Sequence, residues 1–340
     1  MAIEVLIFGA GAVGAFYGSR LATAKNARVS AVCRSNYNAV RTNGFSVTSP
    51  KYGTYVWRPS NVFSTPLEAR KSGIAWDYIV VSTKALPDVS DDSQLLEGLV
   101  GSPTAVVLIQ NGLGVEEPYR KRFPHASILS GVTVVSAEQP RSGEIKHSRW
   151  TRISVGPYLP NNDAYSLSNE NETATSRNLT FVNLLVAGGI QDASAYSHEK
   201  LQLVRWHKIA INAAFNPSSV LCGGPSNAVM ANDPLFHEFL KGVMEEVLET
   251  GPKVIGQPFP SDFASSDLLL RSTQRDPTGG RPSMWADWEQ GKILELEVIL
   301  GNPIRLAQEK GLNMPRLQSL YALARMAQRM RIENSSKSKI

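Results

Sequence analysis

Gly9, Gly11 and Gly14 fall in the spacing GxGxxG, and the run Gly9-Ala10-Gly11-Ala12-Val13-Gly14 is suited to holding the pyrophosphate of a dinucleotide. The first glycine permits a tight turn, the second lets the backbone approach the phosphates, and the third lets the following helix close on its sheet. That helix would add free N–H groups and the positive end of its dipole. The spacing alone is weak; it needs a strand before it, then a helix and a second strand after it. Ile3 to Phe8 supplies the first apolar run, and Val29 to Cys33 supplies the second at the distance of a βαβ unit. The end of that second run selects the cofactor. An NAD site carries Asp or Glu there for the ribose hydroxyls, whereas this chain has Arg34, Ser35 and Asn36, with no acid from there to Glu68. Arg34 is a permanent cation where a 2′-phosphate would sit, with Ser35 and Asn36 as further donors, so the expected cofactor is NADPH. A surface arginine without a ligand is the plain alternative.

A second group of polar residues lies in Val204 to Pro217, VRWHKIAINAAFNP. Lys208, Asn212 and Asn216 are spaced four apart, so on a helix they share one face, each displaced by about 40° and together spanning about 12 Å. Ile209, Ala210, Ala213, Ala214 and Phe215 between them form a packing surface, and Pro217 is expected to stop the helix. Such a row is either a partly buried polar stripe facing a small ligand or an ordinary solvated face. Further on, Pro282 suits a first helical turn, and the Ser283 hydroxyl beside it can bind a carboxylate or cap the turn. Glu295 would lie about 18 Å from Ser283 in one straight helix, too far to share a small ligand, but Gly291 offers a break between two helices. Glu295 could equally be a solvated residue paired with Lys292.

The elements that must position these groups change character along the chain. Short β-branched runs, Asp77 to Thr83 and Thr104 to Gln110, read as buried parallel strands, and Lys84 and Asn111 follow their carboxyl ends, where ligands bind in doubly wound sheets. Residues 127–137 and 145–155 read as further strands, and 160–176 as a polar surface loop. From about Ser194 helical signals dominate, through 197–216, 233–250, 283–289, 293–310 and 315–331. The expected fold class is therefore α/β: an N-terminal Rossmann dinucleotide-binding domain over 1–193 and an all-helical domain over 194–333, with a cleft between them and a flexible tail at 334–340.

Composition narrows the function classes. The 340 residues carry 42% hydrophobic and 19% charged residues and a net charge of +5, as in an ordinary globular protein. Basic residues are scattered without aromatic interleaving, so no nucleic-acid surface is expected. Cys33 and Cys222 form neither a disulfide framework nor a metal site. The first apolar run is too short for a signal peptide, and no stretch reaches membrane-spanning length, so the expected location is cytoplasmic. The last residues, Ser338-Lys339-Ile340, differ conservatively from the S-K-L signal and make the peroxisome the alternative. A homodimer is compatible with this pattern, which does not itself set the oligomeric state.

Five motifs, in order, carry a resemblance: GAGAVG near the start, VSTKA at 81–85, QNGLG at 110–114, WHKIAINAAFNP at 206–217, and PSMWAD at 282–287 followed by Glu295. From residue 3 to about 326 the chain resembles the ketopantoate reductase family, also called 2-dehydropantoate 2-reductases. The resemblance implies NADPH-dependent reduction of ketopantoate to pantoate, with a small 2-keto acid as the partner. It makes Lys208 the general acid and Glu295 the residue that positions it, gives substrate contacts to Asn212, Asn216 and Ser283, and puts Lys84 and Asn111 at the nicotinamide end. One position departs: the family carries asparagine three residues before the serine, where it holds the hydroxyl end of ketopantoate, and this chain has Gly280, with the bulky Trp285 and Trp288 following. A paralogue reducing another carbonyl compound is thus the alternative. A module that senses NADPH without turnover is a further one, although it would need none of Lys208, Asn212, Ser283 and Glu295.

Overall fold

Strand β1, Ile3–Phe8, and helix α1, Ala12–Leu21, open a computed structural model that describes residues 2–159, 168–275 and 279–337. The strands that follow are β2 Ala27–Val32, β3 Phe45–Ser49, β4 Gly53–Trp57, β5 Val62–Phe63, β6 Tyr78–Val81, β7 Ala105–Leu108, β8 Ser127–Arg141, β9 Glu144–Pro157 and β10 Ala193–Ala195. They form one sheet in the order β4-β3-β9-β8-β7-β6-β1-β2-β5, with β10 added parallel to β9. From β5 to β8 the neighbours run parallel, and β8 and β9 form a long antiparallel pair. Strand β1 lies between β2 and β6, so the connections leave it in opposite directions, and its carboxyl end is the switch point of the sheet.

The buried stretches of the central strands are apolar because both of their faces are covered. Val5, Ile7, Val80 and Val107 join a core with Phe16 and Tyr17 of α1, and with Phe181 and Leu185 of a later helix. Their neighbours Leu6, Phe8, Val81 and Leu108 join a second core with Trp76, Leu96 and Tyr119. The alternation follows from the two-residue period of a strand, and each fully buried side chain of this size contributes about 1.5–3 kcal/mol. Short helices α2 Tyr37–Asn43, α3 Pro66–Lys71 and α4 Glu117–Arg122, with a 3-10 turn at Asp92–Leu96, complete the connections. The stretch expected as a loop at 160–176 is partly helix: α5 covers Ser168–Ala187, and residues 160–167 lie outside the described residues. Its buried positions include Ala174 and Asn178, which hydropathy does not mark, and Asn178 Nδ2 donates to the Val155 carbonyl at 3.1 Å.

The second unit is all-helical. It comprises α6 His198–Leu221 from Gln202 onward, α7 Asn227–Asn232, α8 Pro234–Ile255, α9 Ser266–Gln274, α10 Ser283–Glu289, a π-helical turn Glu297–Gly301, α11 Asn302–Glu309 and α12 Pro315–Lys337. It also contains two short segments from the first half of the sequence, Ala85–Ser90 and Asn111–Gly114. Ser226, Asp233 and Ser265 cap α7, α8 and α9 by accepting from backbone N–H groups three residues on. Helix α8 contacts α7, α9, α11 and α12. Gly251 on α8 lets Trp206 of α6 approach, since a Cβ there would lie 2.9 Å from the tryptophan Cβ.

Three helix boundaries differ from expectation. Helix α6 continues through Pro217 to Leu221 because Asn216 to Val220 are all buried, and packing offsets the missing N–H. The helix expected from 293 begins only at Leu296, and its first turn is π-helical. Residues 334–337, expected in a flexible tail, are the end of α12, whereas Ser338-Lys339-Ile340 lie outside the described residues. Among the described residues no helix is long and apolar enough to cross a membrane.

Candidate active site

The glycine-rich turn sits at the switch point beyond β1. Gly9 has φ +95°, and a Cβ there would lie 2.7 Å from the Thr83 amide nitrogen at the end of β6. Ser82 Oγ donates to the Gly9 carbonyl at 2.7 Å. A Cβ on Gly14 would lie 2.2 Å from that same Oγ and 2.6 Å from the Gly9 oxygen, so glycine is needed there for packing of the fold itself. Gly11 is different: its two chain neighbours aside, nothing among the described residues lies within 4 Å of a Cβ built on it. It is the N-cap of α1, which has no side-chain cap bond and no acidic residue in its first turn. The chain therefore leaves open space and an unopposed positive dipole end beside Ala12 and Val13, as a pyrophosphate requires.

Arg34 is exposed just beyond β2 and beside the equally exposed Ser35. Asn36, expected as another phosphate donor, is buried, and its Nδ2 donates to the Ala10 carbonyl at 2.8 Å. It ties the loop after β2 to the glycine-rich turn instead, a role that no local pattern reveals because its partner lies 26 residues away. Gln110 Nε2 joins the ends of β7 and β6 by donating to the Thr83 carbonyl at 3.1 Å. Lys84, next along the chain, is exposed.

In the helical unit, the four-residue spacing on α6 is not a solvated face. Lys208 and Asn212 are half-buried, and Asn216 is buried at 4% exposure. Lys208 Nζ donates to Asn111 Oδ1 at 2.7 Å, which brings together two residues 97 apart in sequence. Asn216 Nδ2 is buried and has no hydrogen-bond partner among the described residues. Glu295 is buried rather than paired at the surface with Lys292, and its Oε1 accepts from the Ala85 amide at 3.1 Å. It lies in an irregular segment before the π-helical turn, where the Leu296 amide donates to the Leu294 carbonyl at 2.8 Å, and Gly291, at φ +68°, separates it from α10. Ser283 is exposed at the first residue of α10, with Pro282 at the cap.

The loop bearing Asn111 is gripped on several sides. Leu113 N–H donates to the Val298 carbonyl at 2.8 Å, Asn302 Nδ2 donates to the Leu113 carbonyl at 2.7 Å, and Arg205 Nη1 donates to the Gly112 carbonyl at 2.8 Å. Gly112 has φ +97°, and a Cβ there would lie 2.3 Å from Val298 Cβ. At the start of the π-helical turn, burial pushes the Glu297 carboxyl up, but bonds from the Tyr321 hydroxyl and the Arg305 guanidinium outweigh it and hold the group below its ordinary range. None of these long-range partnerships is visible in local sequence. The only cue was the presence of polar residues in otherwise apolar runs.

Comparison with known proteins settles the kinship. The family description "Ketopantoate reductase PanE/ApbA" matches residues 5–160, and "Ketopantoate reductase PanE/ApbA C terminal" matches residues 200–328. A 2-dehydropantoate 2-reductase of Nostoc sp. is 30% identical over 320 residues, spanning 93% of this chain and 92% of its own. The chain belongs to the ketopantoate reductase family. These are oxidoreductases. An uncharacterized protein of Saccharomyces cerevisiae is 28% identical over 353 residues, covering 96% of this chain and 93% of its own. The crystal structure of 2-dehydropantoate 2-reductase from Methylococcus capsulatus superimposes with a TM-score of 0.81 at 29% identity, covering 97% of this chain and 98% of that one. The Rossmann-like sheet with an all-helical C-terminal part is thus the family's architecture.

Proposed function

We propose that this member of the ketopantoate reductase family uses NADPH to reduce a 2-keto acid to the 2-hydroxy acid, with 2-dehydropantoate (ketopantoate) the first substrate to test. The observation that carries the reading is the half-buried Lys208 ammonium, held at 2.7 Å by Asn111 in line with Asn212 and Asn216. When bound, the reduced nicotinamide would be the source of the hydride that the ketone carbon accepts. As the ketone oxygen gains negative charge, Lys208 stabilises it and then donates a proton as general acid. An ammonium has three N–H donors, so one can stay on Asn111 while another meets the substrate oxygen. Asn216 Nδ2, buried without an acceptor among the described residues, has a donor that a substrate carboxylate would satisfy, removing a cost of about 1–3 kcal/mol. Asn212 and Ser283 are assigned further substrate contacts, and Lys84 with Asn111 the nicotinamide end. Glu295 positions the lysine's surroundings by holding the chain at Ala85.

The glycine-rich turn, Gly9 to Gly14, would hold the pyrophosphate, and Arg34 the 2′-phosphate, which supports NADPH over NADH. A second reading keeps the reaction and changes the substrate. Gly280 offers only backbone, its carbonyl accepting from the Asn227 amide at 3.0 Å, and Trp285 packs so close that a Cβ on Gly224 would lie 2.2 Å from its ring. This favours a carbonyl compound with a different distal group. NADPH oxidation with ketopantoate beside a panel of 2-keto acids and ketones tests both readings. Ketopantoate as the preferred substrate supports the first, preference for another carbonyl the second, and no turnover with any of them refutes both. The cytoplasm is the proposed location. A fluorescent protein carrying the last dozen residues checks the alternative, and punctate signal that is lost with Ser338-Lys339-Ile340 would move the assignment to the peroxisome.

A further inference from the structure

Arg205 precedes Lys208 by one helical turn on α6, so the two residues leave the same side of the helix, about 4.5 Å apart along its axis. Arg205 is 2% exposed, and its guanidinium donates to the Gly112 carbonyl at 2.8 Å. Gly112 is the neighbour of Asn111, whose Oδ1 accepts from Lys208 at 2.7 Å. One helix therefore grips two consecutive residues of one loop, through the backbone of the second and the side chain of the first. Asn302 and Val298 fix the third residue, Leu113, through its carbonyl and its amide. All of these residues belong to the helical unit. Burying a guanidinium is costly unless it is well bonded, and removing it would strip the Gly112 carbonyl of a charged donor. The loop has little other freedom, because Gly112 is at positive φ with Val298 filling the space of a side chain.

We infer that Arg205, assisted by Asn302, is a positioning residue for the proposed ketone reduction: it fixes the Gly112 carbonyl and thereby the Asn111 side chain that aims the Lys208 ammonium. The inference rests on Lys208 being the general acid, but the placement of the lysine can be read without turnover. The first measurement is the rate at which an amine-reactive reagent labels Lys208 in the folded protein, followed by peptide mass spectrometry. We expect Arg205→Met to raise that rate several-fold, to the level of Asn111→Ala, with no further rise in the double variant. Arg205→Lys, which keeps a donor, should restore part of the protection, and Asn302→Ala, which touches the same loop elsewhere, should give a smaller rise. The second measurement is turnover on the best substrate found. Arg205→Met should lower kcat about 10- to 100-fold with KM nearly unchanged, as a small misplacement of a reacting group does. In the Asn111→Ala background the same change should cost little.

Labelling of Lys208 that is unchanged in Arg205→Met overturns the positioning role whatever the turnover. Equal losses with and without Asn111 overturn it too, since they would mean general destabilisation. If Arg205→Met does not fold, Asn302→Ala carries the test alone, and unchanged labelling there is equally decisive against it. Protection lost as expected in a protein that reduces none of the carbonyl compounds would leave the clamp standing and remove only the assigned reaction.

Discussion

Replacing Gly11 with alanine places one methyl group in space that, its two chain neighbours aside, no atom of the described residues approaches within 4 Å. The backbone there is extended at φ −83°, which alanine adopts readily. The fold should tolerate the change or gain about 0.4–1 kcal/mol from the stiffer unfolded chain. If the pyrophosphate passes over Gly11, the same methyl group overfills the cofactor site at a cost of about 1–3 kcal/mol, roughly a 5- to 150-fold rise in Kd. Gly14→Ala is the control with the opposite signature. Its methyl would lie 2.2 Å from Ser82 Oγ and 2.6 Å from the Gly9 carbonyl, so stability falls by about 1–3 kcal/mol before any ligand is added. Urea unfolding and NADPH fluorescence titration on the two variants separate the effects. Unchanged NADPH affinity in a folded Gly11→Ala protein would refute the placement of the pyrophosphate. A loss of stability in Gly11→Ala equal to that in Gly14→Ala would refute the packing argument.

Lys208→Ala should lower kcat by about two to four orders of magnitude while NADPH affinity stays within a few-fold, checked by steady-state kinetics and titration; near-normal turnover would remove the general acid. Arg34→Glu should raise the KM for NADPH about tenfold or more, through loss of one charge-assisted contact, and leave NADH unharmed; an unchanged NADPH constant contradicts the 2′-phosphate assignment. Glu297→Gln probes the carboxyl that Tyr321 and Arg305 hold below its ordinary range against the upward push of burial. Because the folded protein binds this proton less readily than the unfolded chain, the carboxylate's contribution is present above about pH 4.3 and is lost as pH falls through the lowered value. The stability gap between wild type and Glu297→Gln, read by denaturant unfolding, should therefore narrow on acidification below that range, and a gap that widens contradicts the sign.

The parts of the fold legible in sequence are those whose burial is two-sided or periodic. Val5 to Phe8 and Tyr78 to Val81 are apolar at every position because each face of the sheet is covered, so their strand character needs no partner to be recognised. Helix α5 was obscured at its start because its inward positions are taken by Ala174 and Asn178, and only with Phe181 and Leu185 does the stripe become hydrophobic. Pro217 misled for the complementary reason: its local cost is real, but the buried turn around it decides the outcome. In the candidate site, Lys208, Asn212 and Asn216 were legible as a row because helical spacing is local. That Asn111 meets Lys208, or that Glu295 meets an amide 210 residues earlier, depends on tertiary placement that no window of sequence contains.

Ala85–Ser90 and Asn111–Gly114 have a consequence for how such proteins can be recombined. A chimera joining this sheet to the helical half of a relative near residue 202 would exchange most of one body but leave these two segments with the wrong parent. The new helices would then meet an unmatched Ala85 amide where Glu295 had its acceptor role, and unmatched Gly112 and Leu113 where Arg205, Val298 and Asn302 had theirs. The heritable unit of the helical half is thus discontinuous, and a graft that keeps these contacts has to move both loops together with the helices that hold them.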